Sequence, residues 1–168
     1  MDIQENQTGL CVAVLGNIFM NVWAGEVTVA RLQRVLDLER GLVRGTPDGI
    51  CVLSVIRKPG RMATLGDAER EFVGKFAVEM APHTRASCYV IQGSGFWVAT
   101  ARTVIAGVQW LAPSRFPQNT VSSVDEAATW LSPHTRRSDG APISPRDLTA
   151  HITGVLERHD HSHATVDA

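Results

Sequence analysis

Arg57, Lys58 and Arg61 stand in one short stretch with Thr64 and Gly66, directly behind the apolar run Ile50 to Ile56. Guanidinium and ammonium groups there could hold an acidic head group or meet a partner surface, through charge-assisted hydrogen bonds. Loops at the carboxyl ends of strands are where α/β sheets bind ligands. A second candidate is Gly93-Ser94-Gly95, a glycine-rich turn ahead of a helical pattern, whose backbone amides could face an anion. Val98 stands where a dinucleotide fingerprint needs its third glycine, and the Gly-Lys-Ser/Thr ending of a phosphate-binding loop is missing. The competing reading of this turn is structural: it lets a strand and a helix meet closely.

Histidines and cysteines offer less. His159-Asp160-His161-Ser162-His163 is the one cluster of metal-ligand types, and without a supporting shell it reads as no metal site. His83, His134 and His151 fall in predicted loops or the tail, with no serine or cysteine at a recognisable nucleophile elbow. No catalytic residue is assigned and no cofactor is implied; the leading reading is non-enzymatic, and an enzyme ranks last among the three function classes. Cys11, Cys51 and Cys88 each sit inside an apolar run and read as buried, free thiols.

These residues must be positioned by a modest chain. Its 168 residues, 44% of them hydrophobic, suit one domain with an appendage. The net charge of -1 supplies no field toward nucleic acid. No apolar run approaches a membrane span and no leader pattern opens the chain, so a cytoplasmic location is expected.

Leu10 to Leu15 and Ile18 to Ala24 predict an antiparallel hairpin around Gly16-Asn17. Asn21 makes one face of the second strand less apolar, which places that strand nearer an edge. Thr28 is expected to cap a helix whose apolar face includes Val29, Leu32, Val35, Leu36 and Val43. Ile50 to Ile56, broken only by Ser54, predicts a strand buried on both sides. Thr64 is expected to cap the next helix, with Asp67 completing a capping box; Ala68, Phe72, Phe76 and Met80 recur along it, and Pro82 ends it. Ala86 to Gln92 predicts a strand, and Trp97, Ala101, Val104, Val108 and Leu111 a helix. Gln118 to Ser122 is a short final strand, and Ser123-Val124-Asp125-Glu126 a capping box for a helix ending at Pro133.

The expected fold is therefore a mixed α/β domain over residues 8–133, with a five-stranded sheet, an N-terminal antiparallel hairpin followed by parallel strands, and about four helices. Residues 134–168 read as a linker, a short amphipathic helix carrying Leu148, Ile152, Val155 and Leu156, and a disordered tail holding the histidines. This order, with the hairpin LCVAVLGNIFMNVWAGEV, the helix TVARLQRVLDLERGL, the strand ICVLSVI and the closing VSSVDEAATWL, resembles the STAS-like family. That family contains bacterial sporulation anti-sigma factor antagonists and a divergent branch described as antagonist-like or lipid-transfer-like.

The resemblance implies a regulatory, protein-binding module. Typical members carry a phosphorylatable serine in an Asp-Ser-Ser-Gly type turn after the central strand. Met62-Ala63-Thr64-Leu65-Gly66 corresponds, with Thr64 as the hydroxyl and Gly66 as the glycine; Ala63 and Leu65 replace the aspartate and one serine. Phosphate at Thr64 would add charge beside helix-terminal amides and alter a partner surface. The expected function is thus a STAS-like interaction module, possessing a protein partner and switched near Thr64. The alternative is a small-molecule or lipid binder with an apolar pocket between sheet and helices near Trp97 and Trp110, where Arg57, Lys58 or Arg61 positions an acidic group. Trp23, Trp97, Trp110 and Trp130 are also consistent with a homodimer.

Overall fold

The structure, a computed structural model, describes residues 1–57, 65–111 and 115–164, with side chains described to residue 107 in the third helix and to residue 163 in the last. Six strands form one sheet in sequence order: β1 (Asp2–Gln7), β2 (Leu10–Leu15), β3 (Ile18–Trp23), β4 (Ile50–Ile56), β5 (Thr84–Ile91) and β6 (Gln118–Val121). The first three pair antiparallel, and β3 to β6 run parallel. Helices α1 (Val29–Arg44), α2 (Asp67–Met80) and α3 (Phe96–Leu111) connect the parallel strands, and α4 (Val124–Leu131) and α5 (Pro145–Ala164) follow. Crossovers of one preferred hand between strands in sequential order bring successive helices to the same face. α1 packs on α2 and α2 on α3 accordingly, while α4 and α5 pack together over the opposite face.

The mixed α/β class and the hairpin-then-parallel order agree with the sequence reading, but the sheet gains a sixth strand. DIQENQ shows no apolar alternation because β1 is an edge strand with mostly polar, solvent-facing side chains. Its backbone pairing with β2 and the packing of Ile3 hold it in place. β3 is not near an edge: it lies between β2 and β4, and Asn21 is buried.

Local signals explain the element starts. Thr28 Oγ1 accepts the Arg31 amide at 3.3 Å, and Ser123 Oγ accepts the Glu126 amide at 3.2 Å. The Glu126 carboxylate accepts from Ser122 N at 3.1 Å, one residue earlier than a standard capping box places that bond. The N-cap of α2 is Gly66, not Thr64, and no side chain caps it. Asp67 and Glu69 in its first turn suit the positive end of the helix dipole instead.

Gly16 and Asn17 make the β2–β3 turn and anchor a distant segment. Gly16 has φ 57°, and a Cβ there would lie 2.0 Å from the Arg136 carbonyl oxygen. Asn17 accepts from Arg136 N at 2.6 Å and donates to His134 O at 3.3 Å. The expected linker is thereby stitched to the sheet. α5 also continues through His159, His161 and His163, where a disordered tail was expected. Leu148, Ile152 and Val155 are fully buried in the cluster that holds α4 and one face of the sheet, so the helix docks on its own domain.

All three cysteines are buried and free. Burial pushes their thiols up, Cys11 and Cys51 to about 11 and Cys88 to about 12. Thiolate is the reactive species. An aromatic disulfide reagent is therefore expected to leave the native protein unmodified near neutral pH, then titrate all three thiols in denaturant. Rapid modification of native protein would contradict this packing.

Candidate functional site

The two faces of the sheet are packed differently. Under α4 and α5, side chains from β2 to β6 belong to one continuous apolar cluster. Under α1, α2 and α3 the packing divides into two: one cluster around Phe19, Val35, Ile50 and Met80, another around Ile91, Ala101 and Ile105. A cavity of about 370 Å³ is lined from both. Val52, Phe76 and Met80 line one part of it, and Ile56, Trp97 and Ile105 another.

The floor explains why helices do not close this space. Asn21, Ser54 and Tyr89 occupy matched positions on β3, β4 and β5: Asn21 pairs with Ser54 and Ser54 with Tyr89. Strand alternation points all three toward α1 to α3, where Val52 and Ser87 form the neighbouring matched pair. Four polar side chains, two of them serines, thus stand where large apolar residues would fill the layer. Asn21 Oδ1 accepts from Trp23 Nε1 at 2.9 Å. Burial raises the Tyr89 phenol, while the Ser87 hydroxyl beside it acts in the opposite direction.

Glu39 hangs over this floor from α1. It is only 3% exposed and lines the cavity. Its carboxyl makes no hydrogen bond or ion pair with a described residue, and no sealed side-chain oxygen or nitrogen among those residues lacks a partner. The carboxyl oxygens consequently face the cavity rather than packed protein. Burial, reinforced by the nearby Glu79 charge, pushes Glu39 up to about 8, so it is mostly protonated at neutral pH. Glu79 itself is held low by Arg40, which bonds it through Nε at 2.6 Å and through a second nitrogen at 2.9 Å.

The residues singled out from sequence are distributed around this cavity. Arg57 lines it from the end of β4, but its guanidinium already donates to Gln92 Oε1 at 3.0 Å and pairs with Asp160. Lys58, Arg61 and Thr64 lie outside the described residues, as does the Trp110 side chain. The regulatory reading centred on Thr64 therefore has no described geometry. Gly66 caps α2, and its neighbour Leu65 lines the cavity.

Gly93, Ser94 and Gly95 join β5 to α3, with φ of 120° and 79° at the glycines. The turn folds the Trp97 indole back so that its Nε1 donates to Gln92 O at 3.2 Å, and a Cβ on Gly93 would lie 3.3 Å from that nitrogen. Close packing thus accounts for the glycine. Trp23 and Trp97 both line the cavity; Trp130 lies on the other face against the His134 ring, with centroids 5.5 Å apart. Phe72 and Phe76 meet edge to face with centroids 6.4 Å apart, and Phe76 reaches the cavity.

His83, His134 and His151 occupy separate elements and none lines the cavity. A second, more open recess of about 610 Å³ is bordered by Thr8, Arg31, His159, Asp160 and His163. Its groups are largely committed to one another. Arg31 donates to Glu26 O at 2.7 Å and Thr8 O at 2.8 Å, while His159 Nδ1 meets Asn6 Oδ1 at 2.8 Å. Burial, followed by the His163 charge, holds His159 below its ordinary value. Among the described residues no group of three or more His, Cys, Asp or Glu side chains is arranged to hold a metal ion. No helix among them is long and apolar enough to cross a membrane.

No family model matches the chain, and no curated protein matches it. Among solved structures, it is similar to a murein peptide ligase of Psychrobacter arcticus, at 15% identity with a TM-score of 0.48. The match covers 95% of this chain but only 29% of the ligase.

Proposed function

We propose that the chain is a binding module for a small, mainly apolar molecule, held in the cavity between the sheet and α1 to α3. The observation that carries this reading is the cavity's construction: about 370 Å³ with apolar walls and an in-register polar row on its floor. Small-molecule sites share this pattern of apolar lining with a few placed polar groups. Ser54 is buried and its hydroxyl has no bonding partner among the described residues, so a fold maintained by packing alone gains nothing from it, whereas Asn21 already accepts from Trp23. The two indoles on the lining, Trp23 and Trp97, make entry of a ligand visible.

Nile red, a neutral apolar dye, tests the proposal. Its emission is expected to rise and shift to the blue on mixing with the folded protein, and 1-octanol should displace it. Ser54→Phe, which puts an aromatic ring into the cavity from its floor, is expected to lower dye affinity about tenfold or more. Dye binding that ignores Ser54→Phe in a variant with native circular dichroism would place the dye elsewhere and remove the support for this reading.

A further inference from the structure

We propose that the cavity selects amphipathic amines: the ligand's protonated nitrogen pairs with the Glu39 carboxylate above the Asn21–Ser54–Tyr89 row, and its hydrocarbon body lies between α2 and α3. This inference rests on the cavity being a binding site and adds the charge of its ligand.

Glu39 is 3% exposed, faces the void and has no bonding partner among the described residues. A buried carboxyl without a partner costs free energy in either protonation state, and more when ionised. An ammonium group relieves that cost directly, since it carries three donors and no acceptor. The carboxylate supplies acceptors from above, and the Ser54 and Tyr89 hydroxyls supply them from the matched floor positions. Asn21 Oδ1 is already engaged by Trp23.

The other charges around the cavity favour the same sign. From α2, Glu79 adds negative potential at Glu39, and from β5 the Tyr89 phenol faces it. Arg57, at the end of β4, is matched by Asp160 and Gln92; Arg70, on α2, is bonded to Asp67 at 3.2 Å. α3 contributes Trp97, Thr100, Ala101, Val104 and Ile105, none of which carries charge. A carboxylate ligand would therefore meet a second carboxyl with the described cations already paired. A neutral alcohol would leave Glu39 protonated and exchange only hydrogen bonds.

Binding is thus a proton exchange. The amine arrives as ammonium, Glu39 gives its proton to solvent, and the ion pair forms. Glu39 lies at about 8 in the free protein, and an alkylamine titrates near the lysine range, so at about pH 7 nearly one proton leaves per amine bound.

Calorimetric titration at about pH 7 with n-octylamine, 1-octanol and octanoate, repeated in two buffers of different ionisation enthalpy, tests this. Octylamine is expected to bind about tenfold or more tightly than 1-octanol, with octanoate weakest, and to release about one proton. Glu39→Gln should abolish both the preference and the release, with a native circular dichroism spectrum reporting that the fold around the cavity is intact. If 1-octanol or octanoate binds as tightly as the amine, or no proton is released, the inference fails and the cavity reading stands. If none of the three binds, the cavity reading fails as well.

Discussion

Glu39→Gln is expected to stabilise the ligand-free protein at about pH 7 by roughly 3 kcal/mol, raising the thermal midpoint by roughly 6–12 °C. The unfolded chain ionises this carboxyl from its ordinary value of 4.5, whereas the folded protein keeps the proton up to about 8. Between those values the native state binds more protons than the unfolded state. Stability therefore falls as pH rises through that window and levels off above it.

Glutamine has the same shape and no ionisation, so the variant loses this slope. His159 acts with the opposite sense: its lowered value favours the neutral ring in the folded state, and stability is lost as pH falls below the ordinary 6.5. Subtracting the variant's pH–stability profile from that of the natural sequence cancels His159 and leaves the Glu39 contribution. A flat difference between about pH 5 and 8 would show that Glu39 is solvated like a surface acid.

Ile152→Ala is expected to cost about 2–5 kcal/mol, the range for removing a large aliphatic side chain from a closed core. Ile152 is fully buried, in one cluster with α4 and side chains from five of the six strands. Urea unfolding followed by far-ultraviolet circular dichroism and by tryptophan fluorescence should give coincident single transitions at a lower midpoint, with the slope unchanged. A separate early melting of helix signal would mean that α5 is an independent appendage. The same result would undo the assignment of Ile143 to Leu156 to the main core.

Much of the architecture was legible because it depends on short-range rules. Thr28 and Ser123 cap helices where a hydroxyl precedes an apolar pattern, and Gly16-Asn17 turns between two apolar runs. β1 was not legible: DIQENQ is held by pairing with β2, and an edge strand needs no apolar face. α5 showed its stripe, but its length and docking depend on a surface assembled from distant strands.

The candidate site was partly visible. Leu32, Val35 and Leu36 mark the inward stripe of α1, and Glu39 continues it three residues after Leu36. An acid on that stripe was the available signal, as were Asn21 and Ser54 interrupting apolar strands. Their alignment with Tyr89 was not available, because register between parallel strands is set by helices and loops between them rather than by either strand. Thr64 and its basic neighbours mark the loop after β4, whereas the Asn21–Ser54–Tyr89 row and Glu39 lie on the sheet and α1.

The unequal packing of the two sheet faces has a consequence for redesign. The α4–α5 side holds the strands through one continuous apolar cluster, whereas the cavity side divides its packing between two smaller ones. If the cavity binds as proposed, exchanging Asn21, Ser54 and Tyr89 in combination is expected to change which molecule is accepted, because the three sit in register on its floor. Variation at Leu53, Cys88 or Val155, on the opposite side, offers no comparable freedom. On the proposed reading, the side to redesign is the one with the cavity.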